Sequence, residues 1–383
     1  MNDARARSGP LAGIRVIELG GIGPGPFAAM LLADLGADVV RIHRTTESAA
    51  PNPVLDRGRR SLAVNLKDPR GVEIVLRLID QVDVLLEGFR PGVAERLGFA
   101  PATLTERNPR LVVGRMTGFG QHGPLADRVG HDINYIALSG VLAAIGRPGQ
   151  LPTPPLNLVG DFGGGGMLLA FGVLAAVIHA RSSGRGQVVD ASMVEGSALL
   201  MSMIYGMLAR GSWTVNRGDN LLDGAAPFYD VYECSDGEYV AVGAIEKPFF
   251  VNLVRVLGVA DTVDTDRQRD RSTWPTMRVC FANTFKSRSR DEWLQRFEGV
   301  DACVTPVLTM AEVARHPHNA HRQSFFTHTD GAQHPAPSPR FGLTPCPRPT
   351  AAPAPGQDTH AVLADLGHSP ADVDRLLAEG VVR

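Results

Sequence analysis

Residues 14–42 read IRVIELGGIGPGPFAAMLLADLGADVVRI, and this stretch decides the fold. A β-branched run at 14–19 precedes a glycine- and proline-rich loop at 20–26, an apolar helix at 27–35 and a second apolar run at 38–42. A helix between two apolar strands is typical of the β-α-β unit of a parallel sheet. The sequence therefore predicts an α/β fold whose large domain contains a doubly wound, Rossmann-like parallel sheet.

The loop of this unit also fits the loose dinucleotide-binding pattern G-x-G-x-x-A at residues 23–28. Pro24 and Pro26 lack the backbone N–H groups that would contact a pyrophosphate. The second strand ends in Arg41 and Arg44, where an acid would hold the ribose. Arginines suit a phosphorylated ribose better, so we expect no nicotinamide or flavin cofactor.

The composition is that of a folded protein without a dominant charge. The chain has 383 residues, 44% hydrophobic and 20% charged, and this length predicts two domains. Its 38 Lys and Arg residues against 40 Asp and Glu residues leave a net charge of −2, so no nucleic-acid or membrane partner is expected. The apolar run at 167–180 is shorter than the roughly 20 residues of a membrane span.

The cysteines and the N-terminus indicate a compartment. Cys234, Cys280, Cys303 and Cys346 lie far apart and form no C-x-x-C pair, so neither a zinc site nor a disulfide framework is expected. Residues 1–10 are polar and carry no signal-peptide pattern. These features predict a protein of the reducing cytoplasm.

Changes of pattern divide the chain into five parts. They are a first part of the large domain at 1–195, a linker at 196–228, a small α+β domain at 229–312, a returning linker at 313–334 and a C-terminal part of the large domain at 335–383.

The proline- and histidine-rich composition of residues 316–355 predicts an extended segment without packed elements. Five histidines fall between His316 and His334. They lack the i, i+4 spacing that would place two ligands on one helix face, so we expect no metal site.

Three ionisable residues lie near glycine-containing loops: His131, Asp161 and Glu246. Glycine lets a ligand approach the backbone closely, and imidazole and carboxyl groups transfer protons near neutral pH. Each residue also has a structural alternative. His131 would be a hydrogen-bonded loop residue, Asp161 a helix N-cap and Glu246 a surface partner of Lys247. Together they predict a proton-transfer site on two loops, around 130–135 and 157–166.

A cationic cluster lies near the predicted strand ends and suits phosphate groups. Its members are Arg57, Arg59, Arg60, Lys67, Arg90 and Arg96. The alternative is a solvated face in which the arginines pair with nearby acids such as Asp56, Asp68 and Glu95.

At these residues the sequence resembles the family III CoA-transferases and, within them, the α-methylacyl-CoA racemases. The resemblance spans nearly the whole chain. It rests on VIEL (16–19), GADVVR (36–41), GRRS (58–61), GFRPG (88–92), GHDINY (130–135), GDFGGG (160–165) and GQVVD (186–190).

The resemblance implies a function and roles for the three ionisable residues. His131 and Asp161 would be the acid/base pair of a racemase that interconverts (2R)- and (2S)-2-methylacyl-CoA thioesters through an enolate, and Glu246 would assist Asp161. Asp132 stands where the transferases have a nucleophilic aspartate. A family III CoA-transferase acting through Asp132 is therefore the alternative, and a scaffold that binds CoA without catalysis is a second one.

The resemblance also implies a CoA site and an interlocked homodimer in which Glu246 enters the active site of the partner subunit. The CoA would be part of the substrate, with no further cofactor and no metal. Its predicted contacts are Arg44, Val64, Asn65, Leu66, Lys67, Gly88, Phe89, Arg90, Arg96, Gly130, His131, Asp132, Ile133, Asn134 and Tyr135. The acyl group stays open, because the methionines at 193, 201, 203 and 207 fit an apolar groove or the core equally well.

Overall fold

The structure is a computed structural model that describes residues 8–329 and 331–383. These residues form two compact units. The first contains the described part of Met1–Ser139 together with Leu156–Leu200 and His318–Arg383. The second contains Gly140–Pro155 and Met201–Pro317.

The strands of the described residues are numbered in chain order. They are β1 (Arg15–Leu19), β2 (Asp38–Arg44), β3 (Arg60–Val64), β4 (Val84–Glu87), β5 (Val112–Thr117), β6 (Val188–Ser192), β7 (Tyr229–Glu233), β8 (Tyr239–Gly243), β9 (Val304–Pro306), β10 (Phe325–Thr327) and β11 (Gln333–Pro335).

The α-helices are numbered in the same way. They are α1 (Pro24–Asp34), α2 (Pro69–Ile79), α3 (Val93–Arg96), α4 (Pro101–Arg107), α5 (Asp132–Leu138), α6 (Val141–Ala144), α7 (Leu168–Ser183), α8 (Met193–Leu200), α9 (Ser202–Ala209), α10 (Lys247–Leu257), α11 (Trp274–Phe285), α12 (Arg290–Phe297), α13 (Pro317–His321), α14 (Thr359–Asp365) and α15 (Pro370–Ala378). A π-helix spans Leu158–Met167, and 3-10 turns span Thr265–Arg267 and Arg271–Thr273.

The first unit is built on a six-stranded parallel sheet in the order β3-β2-β1-β4-β5-β6. Strand β1 pairs with β2 on one side and with β4 on the other, so the direction of winding reverses between β1 and β4. Open parallel sheets bind ligands beyond the carboxyl ends of their strands at this reversal. The predicted doubly wound α/β fold is confirmed.

Helices cover both faces of this sheet. On one face, Ile17 and other sheet residues pack with Ile74 of α2 and Leu363 of α14. On the other face, Val84 packs with helices α1 and α7, where Val173 is fully buried. Strands buried on both faces need apolar side chains throughout, which explains their continuous hydrophobic runs.

Helix α1 begins at Pro24, three positions before the predicted start at Phe27. The first N–H groups of a helix have no intrahelical acceptor, so prolines in the first turn remove no hydrogen bond. Gly23 precedes the helix with a φ of +67°, a left-handed conformation that glycine adopts without strain. The two prolines therefore open the helix and do not belong to the loop before it.

The glycine-rich segment at 157–166 is helical, and its prediction as a loop was wrong. It forms the π-helix Leu158–Met167, which runs directly into α7. Glycines make the close packing possible, because a Cβ added to Gly196 of α8 would lie 1.8 Å from the carbonyl oxygen of Gly164. Short π-helical segments occur frequently at functional sites.

Together, the π-helix and α7 form one helical stretch of 26 residues, Leu158–Ser183, longer than the run at 167–180 considered above. By length and composition this stretch is apolar enough to cross a membrane. Core helices satisfy the same criterion, and Leu169 and Val173 of this stretch are buried against the sheet.

Three arginines of the cationic cluster are buried in ion pairs. Arg57 lies 2.6 Å from Asp34, Arg59 lies 3.0 Å from Glu18, and Arg60 lies 2.6 Å from Asp38. A guanidinium enclosed with a carboxylate has no free face for a phosphate. These three arginines hold the first unit together, so for them the phosphate-binding interpretation was wrong.

The second unit contains a three-stranded antiparallel sheet in the order β7-β8-β9, with α10, α11 and α12. Its core is aromatic, with Phe228, Phe250, Phe281 and Trp293 fully buried. The spacing of Ser289 and Glu292 in the sequence predicts a capping box at the start of α12, and this prediction is confirmed, because the side chain of Ser289 accepts the N–H of Glu292.

Two segments contain more regular structure than the sequence predicts. The predicted linker at 196–228 contains the end of α8 and all of α9, which are separated at Met201. The segment at 316–355 was expected to be extended throughout. It contains α13 and an antiparallel hairpin of β10 and β11, packed through stacked histidines His328 and His334.

Candidate active site

A cavity of ≈ 340 Å³ lies in the first unit beyond the carboxyl ends of β1, β4 and β5. Its walls come from the loops that follow these strands and from the segment before α5. They include Gly21, Gly23, Gly88, Phe89, Arg90, Gly130, His131, Tyr135 and Asp161. This cavity is at the reversal of strand order, where a ligand is expected.

Buried charges fix the loops around the cavity. Arg41 donates to the carbonyl oxygen of Gly21 at 3.0 Å. Glu87 accepts the N–H of Phe89 at 2.7 Å and lies 2.6 Å from Arg115. Burial raises the pKa of Glu87, while the hydrogen bond from Arg115 favours its ionised form.

Glu87 and Arg115 were not predicted as site residues, although the sequence contains a signal for them. Glu87 ends β4, and Arg115 is its register partner within the neighbouring parallel strand β5. Opposite charges in two otherwise apolar strands indicate such a pair, because a buried charge needs a partner.

His131 is the residue immediately before α5, in extended conformation, with an exposed side chain. Its backbone N–H donates to the Asn134 side chain at 3.0 Å. The Tyr135 hydroxyl donates to the carbonyl oxygen of Gly130, which fixes the preceding residue. The backbone N–H of Asp132 has no acceptor among the described residues, so it can donate to a ligand at this position.

Asp161 lies in the first turn of the π-helix, and its carboxyl group accepts a hydrogen bond from Asn157 at 3.1 Å. The Asp161 side chain lies close to the backbone of Gly23. A Cβ added to Gly23 would lie 3.0 Å from Asp161 Oδ2, so a glycine at this position allows the close approach. Burial raises the pKa of Asp161, and the charge of Asp132 raises it further. The Asn157 hydrogen bond and the charge of His131 lower it.

The structure thus brings His131 and Asp161 to one cavity and places Asp132 behind them. Asp132 is 6% exposed, and its Oδ2 accepts the backbone N–H of Asp161 at 2.8 Å. Its carboxylate is turned toward the π-helix and does not line the cavity.

The predicted CoA contacts separate into two groups. Six of them line the cavity: Gly88, Phe89, Arg90, Gly130, His131 and Tyr135. Arg44 and Val64 are register partners at the ends of β2 and β3, and Lys67 follows them. Arg44 and Lys67 are exposed at the same edge of the sheet as the cavity, because the strands are parallel.

The remaining predicted contacts lie outside the cavity wall. Arg96 ends the short helix α3 with an exposed side chain. Ile133 and Asn134 are exposed on the first turn of α5, and Asn65 and Leu66 follow β3.

Glu246 belongs to the second unit, where it immediately precedes α10 and is exposed. The surface pairing with Lys247 considered as an alternative is not present, because Lys247 lies 2.7 Å from Asp266. The charge of Glu246 and, more strongly, burial raise the pKa of Cys303.

Among residues 8–329 and 331–383, no group of three or more His, Cys, Asp or Glu side chains is arranged to hold a metal ion. In the hairpin, His334 lies 3.4 Å from Arg57 and packs against Phe326. The histidines of this hairpin are packing residues of the first unit.

Comparison with known proteins identifies the class. The sequence pattern of CoA-transferase family III matches residues 11–359, so the chain belongs to this family. It is 46% identical over 373 residues to the alpha-methylacyl-CoA racemase of Mus musculus, covering 97% of each chain. It is 45% identical to the alpha-methylacyl-CoA racemase of Homo sapiens over the same length and coverage.

The fold is shared with a solved structure. A CaiB/BaiF family protein from Brucella suis superimposes with a TM-score of 0.81 at 24% identity. The superposition covers 94% of this chain and 100% of the other.

Proposed function

We propose that the chain is an α-methylacyl-CoA racemase that interconverts (2R)- and (2S)-2-methylacyl-CoA thioesters. The observation that carries this proposal is the convergence of His131 and Asp161 on one cavity, with a raised pKa at Asp161. The similarity to two racemases over 97% of the chain supports it.

Racemisation needs an acid and a base on opposite faces of one carbon. One group takes the α-proton, and the electron pair of the broken C–H bond moves into the thioester as an enolate. The other group then returns a proton to the opposite face, so the stereocentre inverts with no net change. His131 and Asp161 perform these two roles, and they exchange them when the reaction runs in reverse.

The enolate oxygen needs a hydrogen-bond donor. His131 N–H is already bound to Asn134, whereas the N–H of Asp132, the next residue, is available as a donor. It lies at the start of α5, where the partial positive charge of the helix also favours an anion.

Asp161 must retain a proton near neutral pH for one direction of the reaction. Burial and the neighbouring Asp132 carboxylate favour the protonated form. Glu246 shares this proton when it reaches the site from the partner subunit of an interlocked homodimer. Exposed apolar side chains on α7 and α8, such as Phe171, Ile178 and Leu199, support a partner surface on the first unit.

The substrate's CoA extends from the cavity along the carboxyl edge of the sheet. Arg90 lines the cavity, and the exposed Arg44, Lys67 and Arg96 supply positive charge for the phosphates. Backbone groups of 64–66, 88–89 and 130–135 form the remaining wall.

No cofactor beyond the substrate and no metal takes part. The free cysteines fit a cytoplasmic enzyme.

A CoA-transferase acting through Asp132 is the second candidate, because family membership includes that chemistry. A nucleophile must reach the thioester carbon. The Asp132 carboxylate is buried and bound to the Asp161 N–H, which favours racemisation. Apolar side chains that line the cavity, among them Met116, Phe119 and Met193, are available to contact the acyl chain.

Incubation with a (2S)-2-methylacyl-CoA in heavy water should give both deuterium at the α-carbon and loss of chirality. The reason is that each turnover exchanges the α-proton with an ionisable group in contact with solvent. Mass spectrometry and chiral chromatography of the released acid measure the two effects in one sample. Retention of the α-hydrogen, or transfer of CoA to added carboxylates without inversion, would contradict racemisation.

A further inference from the structure

The Asp132 side chain joins α5 to the π-helix that carries Asp161. Its Oδ2 accepts the Asp161 backbone N–H at 2.8 Å, and its Oδ1 is shielded from solvent without a hydrogen-bond partner in the described part of the chain. Gly160 permits this approach, because a Cβ there would lie 2.5 Å from Asp132 Oδ2. Burying a carboxylate with one unsatisfied oxygen costs folding free energy, which indicates that the charge has a role.

We propose that Asp132 is a positioning residue for racemisation, which holds Asp161 by its main chain and presents a fixed negative charge to it. This inference rests on the proposed function. It gives a role without covalent chemistry to the residue that would be the nucleophile of a transferase.

Asn157 is the counterpart of Asp132 on the other side of Asp161. Its Nδ2 donates to Asp161 Oδ2 at 3.1 Å. Asn157 therefore stabilises the ionised form of Asp161, whereas the charge of Asp132 disfavours that form. Charge at Asp132 raises the pKa of Asp161 and the Asn157 hydrogen bond lowers it, both acting beside the larger effect of burial. Asp161 therefore lies between two opposing neighbours that leave its side chain free to face the cavity.

Ionisable groups of several elements line the same cavity as Asp161. From the segment around α5 they are His131 and Tyr135, and the pKa of Tyr135 is raised by burial and by the charge of Asp161. The strand ends and the loops contribute Glu18, Glu87, Arg90 and Arg128, none of which is among the groups that shift the pKa of Asp161. Gly23, the residue before α1, also approaches Asp161, and α8 packs on the π-helix through Gly196 and Ser197; none of these three residues ionises. Glu246 of a second copy joins this set in the proposed homodimer.

The test compares two single variants of the full-length protein, Asp132→Asn and Asn157→Leu. In Asp132→Asn, the amide oxygen still accepts the Asp161 N–H while the charge is lost. In Asn157→Leu, the donor to the carboxyl group is lost and the charge of Asp132 remains. A solely structural role would not move the acidic limb of the pH profile in opposite directions in these two variants.

We expect opposite shifts of the acidic limb of kcat/KM for α-proton exchange. The active pair carries one proton, so activity falls at low pH when both groups are protonated, and this limb follows Asp161. The limb should move to lower pH in Asp132→Asn and to higher pH in Asn157→Leu. Asp132→Ala, which loses both bond and charge, should lower kcat roughly 5- to 100-fold.

Unmoved limbs, or equal shifts in one direction, would overturn the positioning role. Loss of activity in Asp132→Ala as complete as in His131→Ala would do the same. If the unaltered protein itself exchanges no α-proton, the proposed function fails. If it exchanges the proton and the limbs stay fixed, the positioning role alone fails. Thermal unfolding of each variant separates a lost bond from a lost fold.

Discussion

Replacing His131 by alanine should lower the rate of racemisation by about 10²–10⁴-fold, the usual contribution of a positioned acid or base. The proton on one face of the α-carbon would then have no acceptor, although the cavity and its loops remain. Asp161→Ala should have an effect of the same size on the opposite face. Rates are measured by deuterium incorporation and by inversion, starting from each enantiomer separately.

The affinity for CoA distinguishes loss of chemistry from loss of the site. Calorimetric titration with CoA should give a similar Kd for His131→Ala and the unaltered protein, because main-chain groups of this segment remain in place. His122→Ala is a matched control, since His122 is an exposed histidine in the loop after β5. Unchanged turnover in His131→Ala would return His131 to the role of a hydrogen-bonded loop residue.

Substituting alanine for Gly196 should cost about 1–3 kcal/mol of folding free energy through overpacking, and it should also impair catalysis. The added methyl group would lie 1.8 Å from the carbonyl oxygen of Gly164, a backbone atom that moves only if the π-helix moves. Asp161 is on that π-helix, and a displacement of about 1 Å at a catalytic group can cost roughly 10²-fold in rate. Chemical denaturation and α-proton exchange measure the two effects.

Gly206→Ala is the matched control for this packing argument. Gly206 lies in α9 with no atom near the position of an added Cβ, so alanine there should be neutral or should stabilise the helix by up to about 1 kcal/mol. If Gly196→Ala retained full stability and activity, close contact between α8 and the π-helix would not position Asp161.

Local pattern was sufficient for several features. The alternation of apolar strands and helices specified the parallel sheet, and Ser289 with Glu292 specified the start of α12. Both depend on residues near in sequence, whose preferences for backbone conformation act before any tertiary contact forms. Residue types also predicted a proton-transfer site on the segments of His131 and Asp161, whereas their roles as an acid/base pair came from the family resemblance, because a separation of thirty residues fixes no distance.

The arginines show where local pattern failed. Arg57, Arg59 and Arg60 look like phosphate ligands in the sequence, yet each is buried against an acid that is distant along the chain. A sequence shows where charges are, but the fold decides which of them lose water and therefore need a partner.

By itself, the sequence determined the class of fold, the order of its elements and the residue types available for proton transfer. Tertiary structure decided that the glycine-rich segment is a π-helix. It also decided that Asp132 accepts the backbone N–H of Asp161 and that Asn157 donates to the carboxyl group of Asp161. The physical reason is that backbone preference acts over a few residues, whereas burial, pKa and hydrogen bonding depend on neighbours that only folding brings together.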